Sequence, residues 1–281
     1  MMFNKTPFIL LLLLSLASTS SVRAEEQGGP VEVTFTARLD GTEQKYILLP
    51  PTGFDPEKTY SLMIALHGHG ADRWQFINSE RGECLAARDV AAKYGMLYIS
   101  PDYRASTSWM GPAAEADLLQ ILDELESQYR IDKTIVMGGS MGGSSALTFT
   151  ALHPDRVDGV VSLNGTANHL EYEQFQEFIA ASYGGTKAEI PLEYKRRSAE
   201  YWPERFTMPV AITTGGKDAL VPPDSCLRLA AILTKLNPHT LLIHRPEGGH
   251  ATNLEDSTAA LEFVCKRVVA SESEPVVDKE Q

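Results

Sequence analysis

The sequence predicts an α/β fold: a mostly parallel sheet of about eight strands with helices on both faces. Three observations carry this. Strand-like and helix-like runs alternate through most of the 281 residues. The interior strand-like runs are apolar throughout, as strands covered on both faces must be. Residues 135–147, Ile-Val-Met-Gly-Gly-Ser-Met-Gly-Gly-Ser-Ser-Ala-Leu, read as a strand end, a sharp turn and small residues opening a helix. With 43% hydrophobic and 22% charged residues, the length fits one catalytic domain with a large core better than two small ones.

The elements follow in order. Residues 31–37 and 45–49 alternate apolar with polar residues and are followed by a turn-rich stretch at 50–56, which predicts an antiparallel opening pair. Residues 61–66 form an apolar strand, 80–94 a helix, 96–100 a strand and 113–129 an amphipathic helix with acidic residues early. Residues 134–137 make the strand that enters the glycine-rich turn, and the helix after it runs to about Leu152. A buried strand at 157–163 is followed by 208–213, 225–236, 240–244 and 254–269, which complete the strand and helix alternation.

Residues 166–206 stand outside the pattern and carry Tyr172, Phe175, Phe178, Tyr183, Tyr194, Tyr201 and Trp202. They read either as a small helical cap insertion or as a linking segment whose aromatics pack on the main domain. At the start, Lys5 precedes an apolar run at 8–14, and Val22-Arg23-Ala24 has the small-x-small spacing of a cleavage site, so residues 1–24 read as a signal peptide. The catalytic domain is then 25–270, and the acidic stretch 271–281 reads as disordered. The expectation is a secreted or periplasmic protein with no stable membrane insertion after cleavage. Without Lys5 and Arg23, 23 basic residues face 37 acidic ones, a formal charge of −14. Such a charge repels phosphate backbones, which argues against nucleic acid as a partner. Cys84, Cys226 and Cys265 are too few and too scattered for a disulfide scaffold or a zinc site. Cys84 and Cys265 lie on helices expected on one sheet face, where either one disulfide or buried free thiols can result.

The chemistry centres on Ser140 in Gly138-Gly139-Ser140-Met141-Gly142. A serine on a sharp strand-to-helix turn needs neighbours without Cβ where the two elements crowd, and Gly138 and Gly142 fill those places. The helix opening at Met141 aims backbone N–H groups at negative charge developing beside Ser140. In a parallel sheet the partners of such a serine stand at the carboxyl ends of later strands. Asp218, in Gly-Gly-Lys-Asp-Ala-Leu-Val-Pro, follows the strand ending near Thr213, and His250, in Glu-Gly-Gly-His, follows the strand ending near Arg245. The order Ser140, Asp218, His250, each after its own strand, is that of a nucleophile, acid and base. Glu247 is a rival acid but shares the loop of His250. Leu-His-Gly-His-Gly at 66–70 follows an earlier strand and offers the backbone of His69 as a second oxyanion donor beside that of Met141. His67 and His69 lack further metal ligands at useful spacing. Trp74 and Trp109 follow strands on the same edge, where each either stacks against substrate or packs.

Leu-His-Gly-His-Gly, Gly-Gly-Ser-Met-Gly-Gly, Lys-Asp-Ala-Leu-Val-Pro and Gly-Gly-His resemble elements of the α/β-hydrolase superfamily over about residues 40–268. Tyr-Arg-Ile-Asp before the elbow strand and His-Pro-Asp-Arg-Val after its helix are similar to those of secreted esterases of the feruloyl, acetyl-xylan and polyhydroxybutyrate-depolymerase type. They also resemble the catalytic domain of prolyl oligopeptidase relatives, although no stretch here is left for a propeller. The resemblance implies Ser140 as nucleophile, Asp218 and His250 as its partners, His69 and Met141 as oxyanion donors, and no metal or organic cofactor. The expected activity is hydrolysis of a carboxylic ester, on a small molecule or on acylated plant polysaccharide. A serine peptidase and a noncatalytic binding protein of the same fold are the alternatives.

Overall fold

Eight strands form one sheet in the order β1-β2-β4-β3-β5-β6-β7-β8 in the computed structural model, which describes residues 28–269. The segments read as a signal peptide, 1–24, and as an acidic tail, 271–281, lie outside the described residues. The opening strands β1 (Val31–Thr36) and β2 (Glu43–Leu49) pair antiparallel, and β2 joins β4 (Leu97–Pro101) antiparallel. From β4 onward every pairing is parallel, through β3 (Thr59–Leu66), β5 (Arg130–Gly139), β6 (Gly159–Leu163), β7 (Val210–Gly215) and β8 (Thr240–Arg245). β1 keeps the alternating pattern, because its edge position leaves one face partly solvated, whereas β2, paired on both sides, departs from the expected alternation and buries Tyr46, Ile47 and Leu48 in succession.

Strand alternation divides the core into two layers. In β3, Leu62, Ile64 and Leu66 face one layer, while Met63 and Ala65 face the other. The first layer is closed by α3 (Pro112–Gln128), α4 (Met141–Leu152) and α7 (Asp224–Leu236). The second is closed by α2 (Gly82–Lys93) and α8 (Leu254–Val268). Each fully buried aliphatic side chain in these layers is worth about 1.5–3 kcal/mol over leaving it exposed. Cys84 and Cys265 do lie on one face, on α2 and α8, and both are buried and free, as is Cys226. No helix among the described residues is long and apolar enough to cross a membrane.

The helix α1 (Gln75–Asn78) has no counterpart in the sequence reading, since four residues are too short to show a period. Between β6 and β7 the chain forms α5 (Gln176–Tyr183), α6 (Pro191–Arg196) and two single 3₁₀ turns. Tyr172, Tyr183 and Tyr194 of this segment are buried in the first layer. A buried ion network pins it. Arg197 is 0% exposed and donates to Glu115 Oε2 at 2.6 Å, Glu193 Oε1 at 2.7 Å and the Met110 carbonyl at 2.6 Å.

Candidate active site

The serine turn is locally strained, and its neighbours hold it so. Ser140 adopts φ 58° and ψ −120°, a conformation that L residues rarely populate. Its N–H donates to the Leu163 carbonyl at 2.8 Å, and its own carbonyl accepts from Ser144 N at 3.0 Å and Ser144 Oγ at 3.1 Å. A Cβ on Gly142 would run into the Leu66 carbonyl, and one on Gly138 into Gly142 itself. The two glycines are therefore required by close backbone approach between β5, α4 and the end of β3.

Ser140, His250 and Asp218 are brought together as a hydrogen-bonded chain. Ser140 Oγ lies 2.8 Å from His250 Nε2, and His250 Nδ1 lies 2.8 Å from Asp218 Oδ2. The tautomer that serves both contacts carries its proton on Nδ1 and accepts from the serine hydroxyl. The Asp218 side chain is 1% exposed, and its second oxygen accepts from Leu220 N at 3.0 Å and Val221 N at 2.9 Å. Backbone bonds join the two loops: Gly216 N donates to Arg245 O and Lys217 N to Gly248 O, both at 2.8 Å. Glu247, the rival acid, is exposed and pairs with Lys217.

The loop after β3 supplies the other side. Gly68 N donates to Gln75 Oε1 and Gly70 N to Ser106 O, each at 2.7 Å. The amide between them, that of His69, has no acceptor among the described residues, nor does that of Met141 at the first position of α4. Trp109 Nε1–H donates to His69 Nδ1 at 3.1 Å, and the Phe175 ring lies 4.3 Å from the imidazole. Burial, with the neighbouring His67, pushes the His69 ring below the usual histidine range, so it is neutral and accepts that bond. His67 is buried between the Gly68 and Asp102 carbonyls, at 2.9 and 3.2 Å, and burial lowers its pKa as well. Among the described residues no group of three or more His, Cys, Asp or Glu side chains is placed to hold a metal ion.

These groups face a cavity of about 220 Å³ whose lining includes Ser140, His250, Phe76, Leu163, Phe175 and Leu220. Gln75, Arg81 and Glu83 supply polar groups to the same wall. Trp109 takes no part in that lining. It is 1% exposed and its ring packs 5.5 Å from both Tyr172 and Phe175, so stacking on substrate is corrected to support of the His69 ring. Trp74 lies in an adjoining open groove of about 520 Å³ with Asp72, Asn78, Ser79 and Ser106, and the two spaces share Gln75.

Sequence reasoning missed Asn164. It directly follows β6 with φ 51°, and its Nδ2 donates to Gly249 O at 3.2 Å and lies 3.4 Å from Asp218 Oδ2. Its Oδ1 accepts from Thr213 at 3.3 Å and from Thr252, so one side chain ties the acid loop to the histidine loop. An Asn-Gly pair at a strand's carboxyl end, beside Ser140 and before Asp218, was the available signal. Gln75 and Arg81 had none, because they reach the cavity from α1 and the turn before α2.

The strand order, the elbow at Ser140 and the two late loops define an α/β-hydrolase fold. The family model described as alpha/beta hydrolase fold matches residues 62–199, in agreement with the fold seen here. It is 31% identical over 105 residues to a 2-hydroxy-6-oxononadienedioate/2-hydroxy-6-oxononatrienedioate hydrolase of Klebsiella pneumoniae, a match over 37% of this chain and 35% of that one. The chain thus spans about a third of that relative's length. Among solved structures it is similar to a fluorophosphonate-binding serine hydrolase of Staphylococcus aureus, with a TM-score of 0.64 at 16% identity over 86% of this chain and 97% of that one. It is also similar to an acylaminoacyl peptidase of Pyrococcus horikoshii, with a TM-score of 0.65 at 15% identity over 89% of this chain and 43% of that one.

Proposed function

We propose that the protein is a serine hydrolase that cleaves carboxylic esters through an acyl-enzyme. The observation that carries the reading is the continuous chain Asp218, His250, Ser140 opening on the cavity beside the unengaged His69 and Met141 amides. In the first step His250 Nε2 takes the Ser140 proton as Oγ attacks the acyl carbonyl, and Asp218 steadies the imidazolium that forms. The His69 and Met141 amides hold the oxyanion, and His250 returns the proton to the departing alcohol. Water, activated by the same histidine, then releases the acid. The steps call on side chains and backbone alone, with no cofactor.

Export is part of the proposal and rests on Lys5, the apolar run at 8–14 and Val22-Arg23-Ala24. The alcohol portion of the substrate is assigned to the open groove at Trp74, whose ring and polar neighbours suit a sugar, so acylated plant polysaccharides are the natural substrates to try. The ester reading is tested by offering short p-nitrophenyl acyl esters beside a prolyl p-nitroanilide. Turnover of the esters alone supports it, and faster cleavage of the amide would replace it with a peptidase.

A further inference from the structure

The wall of the Ser140 cavity carries a cation that the acyl-transfer chemistry does not use. Arg81 lines the same cavity as Ser140 and His250, and its side chain is 53% exposed. Its Nε is paired with Glu83 Oε1 at 2.8 Å, and the Glu83 side chain is 8% exposed. No other acceptor among the described residues engages the guanidinium, so its two terminal nitrogens are left without a protein partner on a residue that lines the cavity. Gln75 adds a second donor. Its Oε1 is held by Gly68 N, while its Nε2 amide has no acceptor among the described residues.

The position of Arg81 is fixed by the backbone. Gly82 lies against the start of α8, where a Cβ would come 2.5 Å from Leu254 N and 2.9 Å from the Asn253 carbonyl carbon. That contact locks the turn before α2 to the chain just after His250. Glu83 lies near the elbow and lines the same cavity as Ser140. A buried carboxylate thus engages one side of the guanidinium, and the closely packed Gly82 backbone sets the point from which the side chain leaves, at the cavity that contains the nucleophile. Phe76, Leu163, Phe175 and Leu220 give the cavity its apolar wall, beside Thr252 and His69.

We infer that Arg81 is a specificity-determining residue, and that the preferred substrates are esters whose short acyl chain ends in a carboxylate. The inference rests on the ester-hydrolase reading above and adds its acyl class. The chain lies along the apolar wall, and the terminal carboxylate takes paired hydrogen bonds from the Arg81 guanidinium, with the Gln75 amide as a further donor. Arg81 makes no contribution to bond breaking.

The test compares p-nitrophenyl hydrogen adipate, p-nitrophenyl hexanoate and the trimethylammonium-terminated ester of the same length, each corrected for spontaneous hydrolysis. For the parent, kcat/KM for the adipate ester should exceed that for the hexanoate about tenfold or more, the yield of one partly solvated charge-assisted pair. The ratio should fall with added salt, drop to about one in Arg81→Gln and recover in part in Arg81→Lys. A parent ratio near one, a ratio unchanged in Arg81→Gln, or a preference for the cationic ester would overturn the inference. Calorimetric titration of Ser140→Ala and of Ser140→Ala/Arg81→Gln with monomethyl adipate reads the site without turnover. Tenfold weaker binding in the double variant supports the anion site even if no ester is hydrolysed, an outcome that would remove the ester reading alone. Equal binding by the two variants removes the anion site alone.

Discussion

Ser140, His250 and Asp218 come from three different loops, and the 2.8 Å contacts between them exist because each loop is held by its own bonds. Asp218 keeps one oxygen for His250 while the Leu220 and Val221 amides occupy the other, which aims the carboxylate and satisfies its burial. Asp218→Asn should therefore leave the fold intact and lower kcat/KM by roughly a thousandfold or more, because the amide no longer favours the tautomer that accepts the serine proton. Steady-state kinetics beside a circular dichroism spectrum checks this, and near-parental turnover would mean that another group orients His250. Asn164→Ala removes a tie between the acid and histidine loops rather than a reacting group. Its effect should be smaller, on kcat more than on KM, and accompanied by a lower Tm.

The elbow is a product of three elements meeting, so its residues answer to packing as much as to chemistry. Gly142→Ala would force a methyl group into the Leu66 carbonyl, and the expected outcome is loss of soluble folded protein rather than a slow enzyme. Solubility and thermal melting of that variant report the result. The segment between β6 and β7 depends on a different device, the buried Arg197 and Glu115 pair. Burial pushes the Glu115 carboxyl up, but the His153 hydrogen bond and the Arg197 and Arg196 guanidinium groups outweigh it and hold it at about 2. Because the folded pKa lies below the unfolded one, this stabilisation is present above about pH 4.5 and is lost as pH falls toward about 2. Urea midpoints should fall across that window, and Glu115→Gln should flatten the fall while lowering stability at neutral pH. These elements also show what was legible beforehand. Ser140, Asp218 and His250 were visible because glycine-flanked loops after apolar strands mark the sheet edge in one dimension. Trp109 and Arg81 were not, since the side a loop residue faces is settled by φ values such as the 45° at Trp109 and by contacts remote in sequence.

Taken as a whole, the molecule is a sheet between two helical layers with its reactive groups at one edge. Its cysteines belong to those layers and not to the site. Burial, reinforced by nearby Glu83 for Cys84 and by Glu262 for Cys265, pushes their thiols up to about 11 and about 12, and burial with Glu200 pushes Cys226 up to about 12. All three should resist a thiol reagent in the folded state and react together after unfolding, which a timed colorimetric titration would read. Fold class and the succession of strands and helices were readable because alternation and apolar runs are properties of the whole chain, whereas the spatial strand order was not, and the packing of 166–206 depends on Arg197, whose carboxylate partners lie on α3 and α6. The measurement that bears most directly on the proposed chemistry is release of p-nitrophenol from short acyl esters by the parent protein and by a folded Ser140→Ala variant. The triad assignment predicts turnover by the parent and a loss of roughly a thousandfold or more in the variant. Equal rates in the two would contradict it.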